Sequence, residues 1–279
     1  MGLNLDLLGK KSDPVPYECN EDKLILYALG IGAGVEKELD FLYEKNLKVF
    51  PTFAVIPYFP AVGILMVNSG INMFATLHGE QHIKWFAPTP TRGTLLNTAV
   101  WTKVYDKGDS GAMLHMQVDT TDDKGNLIFQ NNMVAVDRSA GNFGGDRGPK
   151  TAKLMPPEGK APDFSVNYTT GPNQAALYRL SGDYNPLHIE PEFAAMGGFD
   201  RPILHGLCTL GYTGRAILHS VCGSDPARMK ALSCRFTGVV FPGDTLTIEG
   251  WQLEPGKYTF QTKTQDGRVV LGNALAEVA

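Results

Sequence analysis

The chain has 279 residues, a formal net charge of -4 at neutral pH, and hydrophobic side chains at 43% of its positions. That length and apolar content suffice for one large or two medium domains with a real core. The mild acidity gives no general attraction to nucleic acid or to an anionic membrane, so neither is expected as a partner, and an anionic ligand would need a local basic patch.

In chain order, the first ~20 residues, polar and carrying Pro14 and Pro16, read as an arm without a core of its own. Leu26-Tyr27-Ala28-Leu29-Gly30 then returns as Leu177-Tyr178-Arg179-Leu180-Ser181, an offset of 151. Trp85-Phe86, Gly93-Thr94, Leu96 and Trp101 fall opposite Arg235-Phe236, Gly243-Asp244, Leu246 and Trp251 at an offset of 150, and Pro51 falls opposite Pro202. Two echoes at nearly one spacing indicate an internal duplication. The copies are placed at 1–138 and 164–279, joined by a Gly-, Pro-, Lys- and Asp-rich linker over 139–163.

The apolar run Phe53–Val67 contains Pro57 and Pro60 and falls short of the ~20 residues that span a bilayer. As the counterpart of a helix at 205–221, the Val55–Gly70 region is expected to be broken or shortened by those prolines, at ~3 kcal/mol each in a helix interior. Alternation through Gln81, Ile83 and Trp85 reads as a strand, so His78-Gly79-Glu80-Gln81-His82 is not expected to bind metal. Leu95–Tyr105, Met113–Asp119 and Leu127–Val136 alternate around a turn at Lys124-Gly125. Ser233–Gly238, Thr245–Leu253, Tyr258–Thr264 and Val269–Val278 do the same around Pro242-Gly243, Pro255-Gly256 and Asp266-Gly267. A helix followed by an antiparallel meander, twice over, predicts an α+β fold. Cys19, Cys208, Cys222 and Cys234 form no C-x-x-C pair and are expected to be free thiols.

The densest chemistry lies in Tyr178–His188, which reads Tyr-Arg-Leu-Ser-Gly-Asp-Tyr-Asn-Pro-Leu-His. Pro186 prevents a continuous helix, so Asp183, Asn185 and His188 sit on a bent loop. Such a loop can turn a carboxylate and an imidazole toward one water or substrate proton; equally, Asp and Asn there could simply satisfy turn amides. Downstream, Arg201-Pro202-Ile203-Leu204-His205-Gly206 leads into a helical apolar pattern, placing Gly206 in the first turn. Its amide is a candidate donor to a substrate oxygen, though glycine would also serve close helix packing. His205 reads as a structural neighbour. At an offset of 151, Asp183, Asn185 and His188 face Gly32, Gly34 and Lys37, so the first copy is expected to be inert.

Those two motifs together resemble the signature of the R-specific 2-enoyl-CoA hydratases, or hydratase 2, of the MaoC-like hot dog superfamily. The resemblance implies a double hot dog in which Asp183 and His188 add water to a trans-2-enoyl thioester, Asn185 fixes the water and the Gly206 amide stabilises the thioester oxygen. It carries substrate contacts to His78, Gly79, Glu80, Lys107, Tyr184, Pro186, Leu187, Arg235 and Phe236. An apolar groove for the acyl chain is expected in the first copy, lined by Phe53, Tyr58, Phe59 and Leu65. No cofactor is implied, coenzyme A being part of the acyl-CoA substrate. The family further suggests a homodimer, a peroxisomal role in fatty acid β-oxidation and fusion to dehydrogenase domains, although Ala276-Glu277-Val278-Ala279 is not a peroxisomal address. An acyl-CoA thioesterase and a non-catalytic acyl-CoA binding module on the same fold are the alternatives.

Overall fold

The computed structural model describes residues 2–73, 75–150 and 153–279. Ten strands form one antiparallel sheet. In the first copy these are β1 (Val15–Cys19), β2 (Thr76–Trp85), β3 (Gly93–Asp106), β4 (Ala112–Thr121) and β5 (Leu127–Asp137). The second copy supplies β6 (Phe164–Thr169), β7 (Met229–Phe236), β8 (Thr245–Glu254), β9 (Lys257–Thr264) and β10 (Val269–Val278). The order across the sheet is β1-β3-β4-β5-β2-β7-β10-β9-β8-β6, the same sequence of strands read outward from the centre in each copy. At the junction, His82 pairs with Ser233 and Ile83 with Leu232. An offset of 150 exchanges these two pairs, so a local two-fold axis passes between them. The duplication visible in the sequence is therefore a symmetry of the molecule, and the chain is a double hot dog of the α+β class.

Each copy lays helices on the sheet. α1 (Glu21–Gly30) begins at Asn20, whose side chain accepts from the Lys23 amide at 3.0 Å, with Glu21 and Asp22 complementing the helix N-terminus. It packs on α4 (Gln174–Tyr178), its echo in the second copy. The short helices α2 (Val35–Glu38) and α5 (Pro191–Met196) follow α1 and α4 respectively. The main helix of the second copy, α6 (Gly206–Val221), is buried continuously from Leu207 to Leu218, as expected of a helix enclosed on all sides. Gly211 and Gly214 let it approach the first copy. A Cβ on either would lie 2.3 Å from Ile31 or 2.4 Å from Thr52.

The first copy's counterpart is split into a 3-10 turn at Pro51–Val55 and α3 (Phe59–Ser69). Pro57 lies in the gap, and Pro60 falls in the first turn of α3, where a missing N–H breaks no bond. The helix is thus shortened as expected, but Pro60 starts it rather than interrupting it. Phe53, Tyr58 and Leu65 are buried and Phe59 is half-buried against the core. These four side chains form a filled apolar floor, not the open groove expected from the sequence.

The N-terminal segment also differs from expectation. Instead of a coreless arm it supplies β1, with Cys19 pairing to Gly93 and Val15 to Asn97, and Pro16 is tolerated because β1 is an edge strand. Among the described residues between Asp137 and Phe164 there is no helix or strand. All four cysteines are free and buried.

The first copy's equivalent of the Asp183 loop has become a bracket for α6. Glu38 accepts the Gly34 amide at 2.9 Å, Arg215 Nε at 2.9 Å and a second Arg215 nitrogen at 2.7 Å. His219 Nε2 lies 2.8 Å from the same carboxylate. Arg215 also donates to the Ile31 carbonyl at 2.7 Å and lies 4.4 Å from the Tyr168 ring centre. Gly32, at φ +77°, is required because a Cβ would fall 2.3 Å from the Tyr212 hydroxyl.

Candidate active site

A 3-10 turn at Arg179–Ser181, then Gly182 at φ +136°, turns the chain between α4 and Asp183, which is half-buried. Pro186–His188 forms a second 3-10 turn, capped by the Asn185 side-chain oxygen, which accepts the Leu187 amide at 3.1 Å. Its last residue, His188, is buried, and its Nδ1 lies 2.8 Å from the Ile203 carbonyl. A carbonyl can only accept, so Nδ1 carries the hydrogen and Nε2 is left as the basic nitrogen of the neutral ring.

Asp183, His188 and His205 each place one oxygen or nitrogen within 4.8 Å of the others. The sequence reading set His205 aside as a structural neighbour; its ring stacks on His188 at 3.7 Å between centres and 29° between planes. Its Nε2 lies 3.2 Å from the Asp183 carbonyl. The cluster has the composition of a metal site, but one nitrogen of each ring is already committed, His188 Nδ1 to the Ile203 carbonyl and His205 Nε2 to the Asp183 carbonyl.

Burial sets the electrostatics. It raises the Asp183 pKa, against the pull of His188, the Asn185 amide at 3.2 Å and Arg179. It lowers that of His188, against Asp183 and the Ile203 carbonyl. Both effects favour a neutral acid beside a neutral base, the pairing suited to exchanging protons with one substrate. Burial and the neighbouring His188 push His205 down to about 2, so it stays neutral. Around the pair, Tyr178 Oη, Ser181 Oγ and His205 Nδ1 are buried without a protein partner. Polar atoms so placed are ordinarily satisfied by water.

Gly206 is the first residue of α6 and is itself exposed, so its amide has no partner within the helix and is open to a ligand. A Cβ there would stand 3.1 Å from the Phe236 ring. Phe236 in turn packs edge-on against His78, with ring centres 4.8 Å apart. His78 is half-buried, but its Nε2 is enclosed without a partner and burial lowers its pKa to about 4. Gly79 sits at a register shift in β2, where a Cβ would meet Val136 at 3.0 Å. The structure thus joins Gly206, Phe236, His78 and Gly79 into one wall.

Other expected contacts fall elsewhere. Glu80 receives Arg235 Nε at 2.9 Å and lies 3.2 Å from His82 Nε2, and these partners hold its carboxyl at about 2. Glu80 and Arg235 therefore bolt β2 to β7. Lys107 donates to the Arg147 carbonyl and rests on Tyr105, three strands from β2, so it is not brought together with the pair. Asn185 and Tyr184 are exposed, Tyr184 beneath the Arg179 guanidinium at 5.0 Å, while Pro186 and Leu187 are half-buried. Sequence reasoning missed Tyr178 as a site residue, although its echo Tyr27 marked it; the two rings lie 6.1 Å apart.

Residues 17–139 match the family model described as the MFE-2 hydratase 2 N-terminal domain, and residues 153–274 match the model described as a MaoC-like domain. The chain belongs to the MaoC-like hydratase 2 family. A family member from Dictyostelium discoideum, named a probable enoyl-CoA hydratase 2, is 39% identical, with 97% of this chain and 94% of the relative covered. Among solved structures, a MaoC-like dehydratase from Phytophthora capsici superposes with a TM-score of 0.87 at 33% identity over 99% of both chains. Full-length peroxisomal multifunctional enzyme type 2 from Drosophila melanogaster gives 0.83 at 38% identity, covering 97% of this chain and 49% of that one. Hydratase 2 chains thus occur both at this length and as about half of a longer polypeptide.

Proposed function

We propose that the chain is an R-specific 2-enoyl-CoA hydratase, adding water reversibly to trans-2-enoyl-CoA to give (3R)-3-hydroxyacyl-CoA. The juxtaposition of a half-buried acid and a buried imidazole, Asp183 and His188, beside the open Gly206 amide carries this reading. His188 Nε2 takes a proton from water as its oxygen bonds to C3, and the Asp183 carboxyl delivers a proton to C2. Negative charge gathers on the thioester oxygen between these events, and the Gly206 amide, aided by the α6 dipole, accommodates it. Neither step calls for a metal or cofactor.

The wall of His78, Gly79 and Phe236 receives the thioester. The sheet ends on β1 and β6, edges that pairing between molecules would protect, so a homodimer is proposed. Peroxisomal residence and fusion to dehydrogenase domains are proposed by analogy with the multifunctional relatives.

Incubation with trans-2-decenoyl-CoA tests the reading. The conjugated enoyl absorbance should fall without release of free thiol, and chiral analysis should find the R alcohol. Formation of the S alcohol or of free coenzyme A would reject it.

A further inference from the structure

His205 has no role in the chemistry proposed above, yet it touches both Asp183 and His188 and directly precedes Gly206. Its Nε2 lies 3.2 Å from the Asp183 carbonyl and therefore carries the hydrogen. One face of its ring lies on His188 at 3.7 Å. Its backbone caps α6 immediately before Gly206, with its carbonyl accepting the Thr209 amide at 3.1 Å.

The loop bearing the acid is otherwise thinly secured. The Asn185 amide bonds the Asp183 carboxylate and the Leu187 amide bonds Asn185, both within the loop, and Tyr184 is 57% exposed. Among the described residues, two hydrogen bonds tie 183–188 to 203–205: His188 Nδ1 to Ile203, and His205 Nε2 to Asp183. The second alone anchors the acid's end.

We propose that His205 is a positioning residue that holds the Asp183 carboxyl and the His188 ring in register with each other and with the Gly206 amide. The proposal rests on the hydratase reading for its kinetic test. Its ring does not titrate in the working range, and a neutral π face can lie against His188 as that ring gains a proton. A displacement of about 1 Å in such a constellation costs on the order of 10²-fold in rate.

Three variants separate the contacts: His205→Ala removes both, His205→Gln keeps an N–H donor, and His205→Phe keeps a flat face. In the alanine variant kcat should fall on the order of 10²-fold while KM stays within about threefold, and glutamine and phenylalanine should each recover at least about fivefold. An alanine variant within about threefold of the parent, or a loss confined to KM, overturns the proposal. So does loss of a limb from the pH–rate profile, which would make His205 the titrating group itself. Should the alanine variant not fold, parent-level kcat in both other variants overturns it, and a partial loss in each upholds it. An NMR titration of His188 is independent of activity. Its midpoint should move in the phenylalanine and glutamine variants, and an unmoved midpoint in both counts against the proposal even if the parent hydrates no enoyl-CoA.

Discussion

Removing the Glu38 carboxylate should destabilise the whole chain although it lies in the copy that does not carry Asp183 and His188. The Glu38 and Arg215 side chains are only 6% and 5% exposed. Glu38→Ala would leave a guanidinium buried without its counter-charge and would free the Gly34 amide and His219. Breaking one side of a buried pair costs ~3–5 kcal/mol. The titration of Glu38 gives a similar figure: a carboxyl held at about 2 rather than 4.5, chiefly by His219 and Arg215 against burial, is stabilised in its charged form by roughly 3 kcal/mol. For a chain of this size that lowers the melting temperature by roughly 6–12 °C. Calorimetry and urea unfolding at pH 7 measure it. Because the folded-state pKa is depressed, the stabilisation is complete above pH 4.5 and is lost as pH falls toward about 2, so parent and Glu38→Gln should converge in acid. The Glu38→Met/Arg215→Met double variant should recover most of the loss. A single variant within ~1 kcal/mol of the parent, or no recovery in the double, would refute the reasoning.

Asp183→Asn and His188→Gln should each lower kcat by ~10²–10⁴-fold in steady-state assays, and the pair together little further. Since burial lowers the His188 pKa from its ordinary 6.5, the acid limb of kcat/KM should break below 6.5, and a break above it would contradict the assignment. Gly206→Ala should crowd the Phe236 ring and obstruct the amide, reducing kcat by ~10²-fold, with circular dichroism unchanged. Glu80→Gln should slacken the β2–β7 junction, seen as faster amide hydrogen exchange at Gln81 and Cys234 before any change at Asp183; equal exchange in parent and variant would return Glu80 to a direct role.

What the sequence made legible followed from how local each signal was. Period-two alternation between Pro-Gly and Asp-Gly turns located β8, β9 and β10 almost to the residue, and Gly206 was correctly placed at the start of α6. β1 and β6 escaped because they are short edge strands of 5 and 6 residues, whose partners rather than composition define them. Asp183 and His188 share one bent loop and could be read together. His205 was read only as a structural neighbour, because its stacking on His188 depends on how the intervening 189–204 excursion folds back. Glu38 and Arg215 are 177 positions apart, and no spacing rule links them. Lys107, carried over by resemblance alone, proved to belong to the turn beside Arg147.

The bracket around Arg215 makes the duplication hard to reverse. The copy that carries Gly32, Gly34 and Lys37 in place of Asp183, Asn185 and His188 holds its twin's principal helix through Glu38, so deleting that half would strand a buried cation and bare one flank of α6.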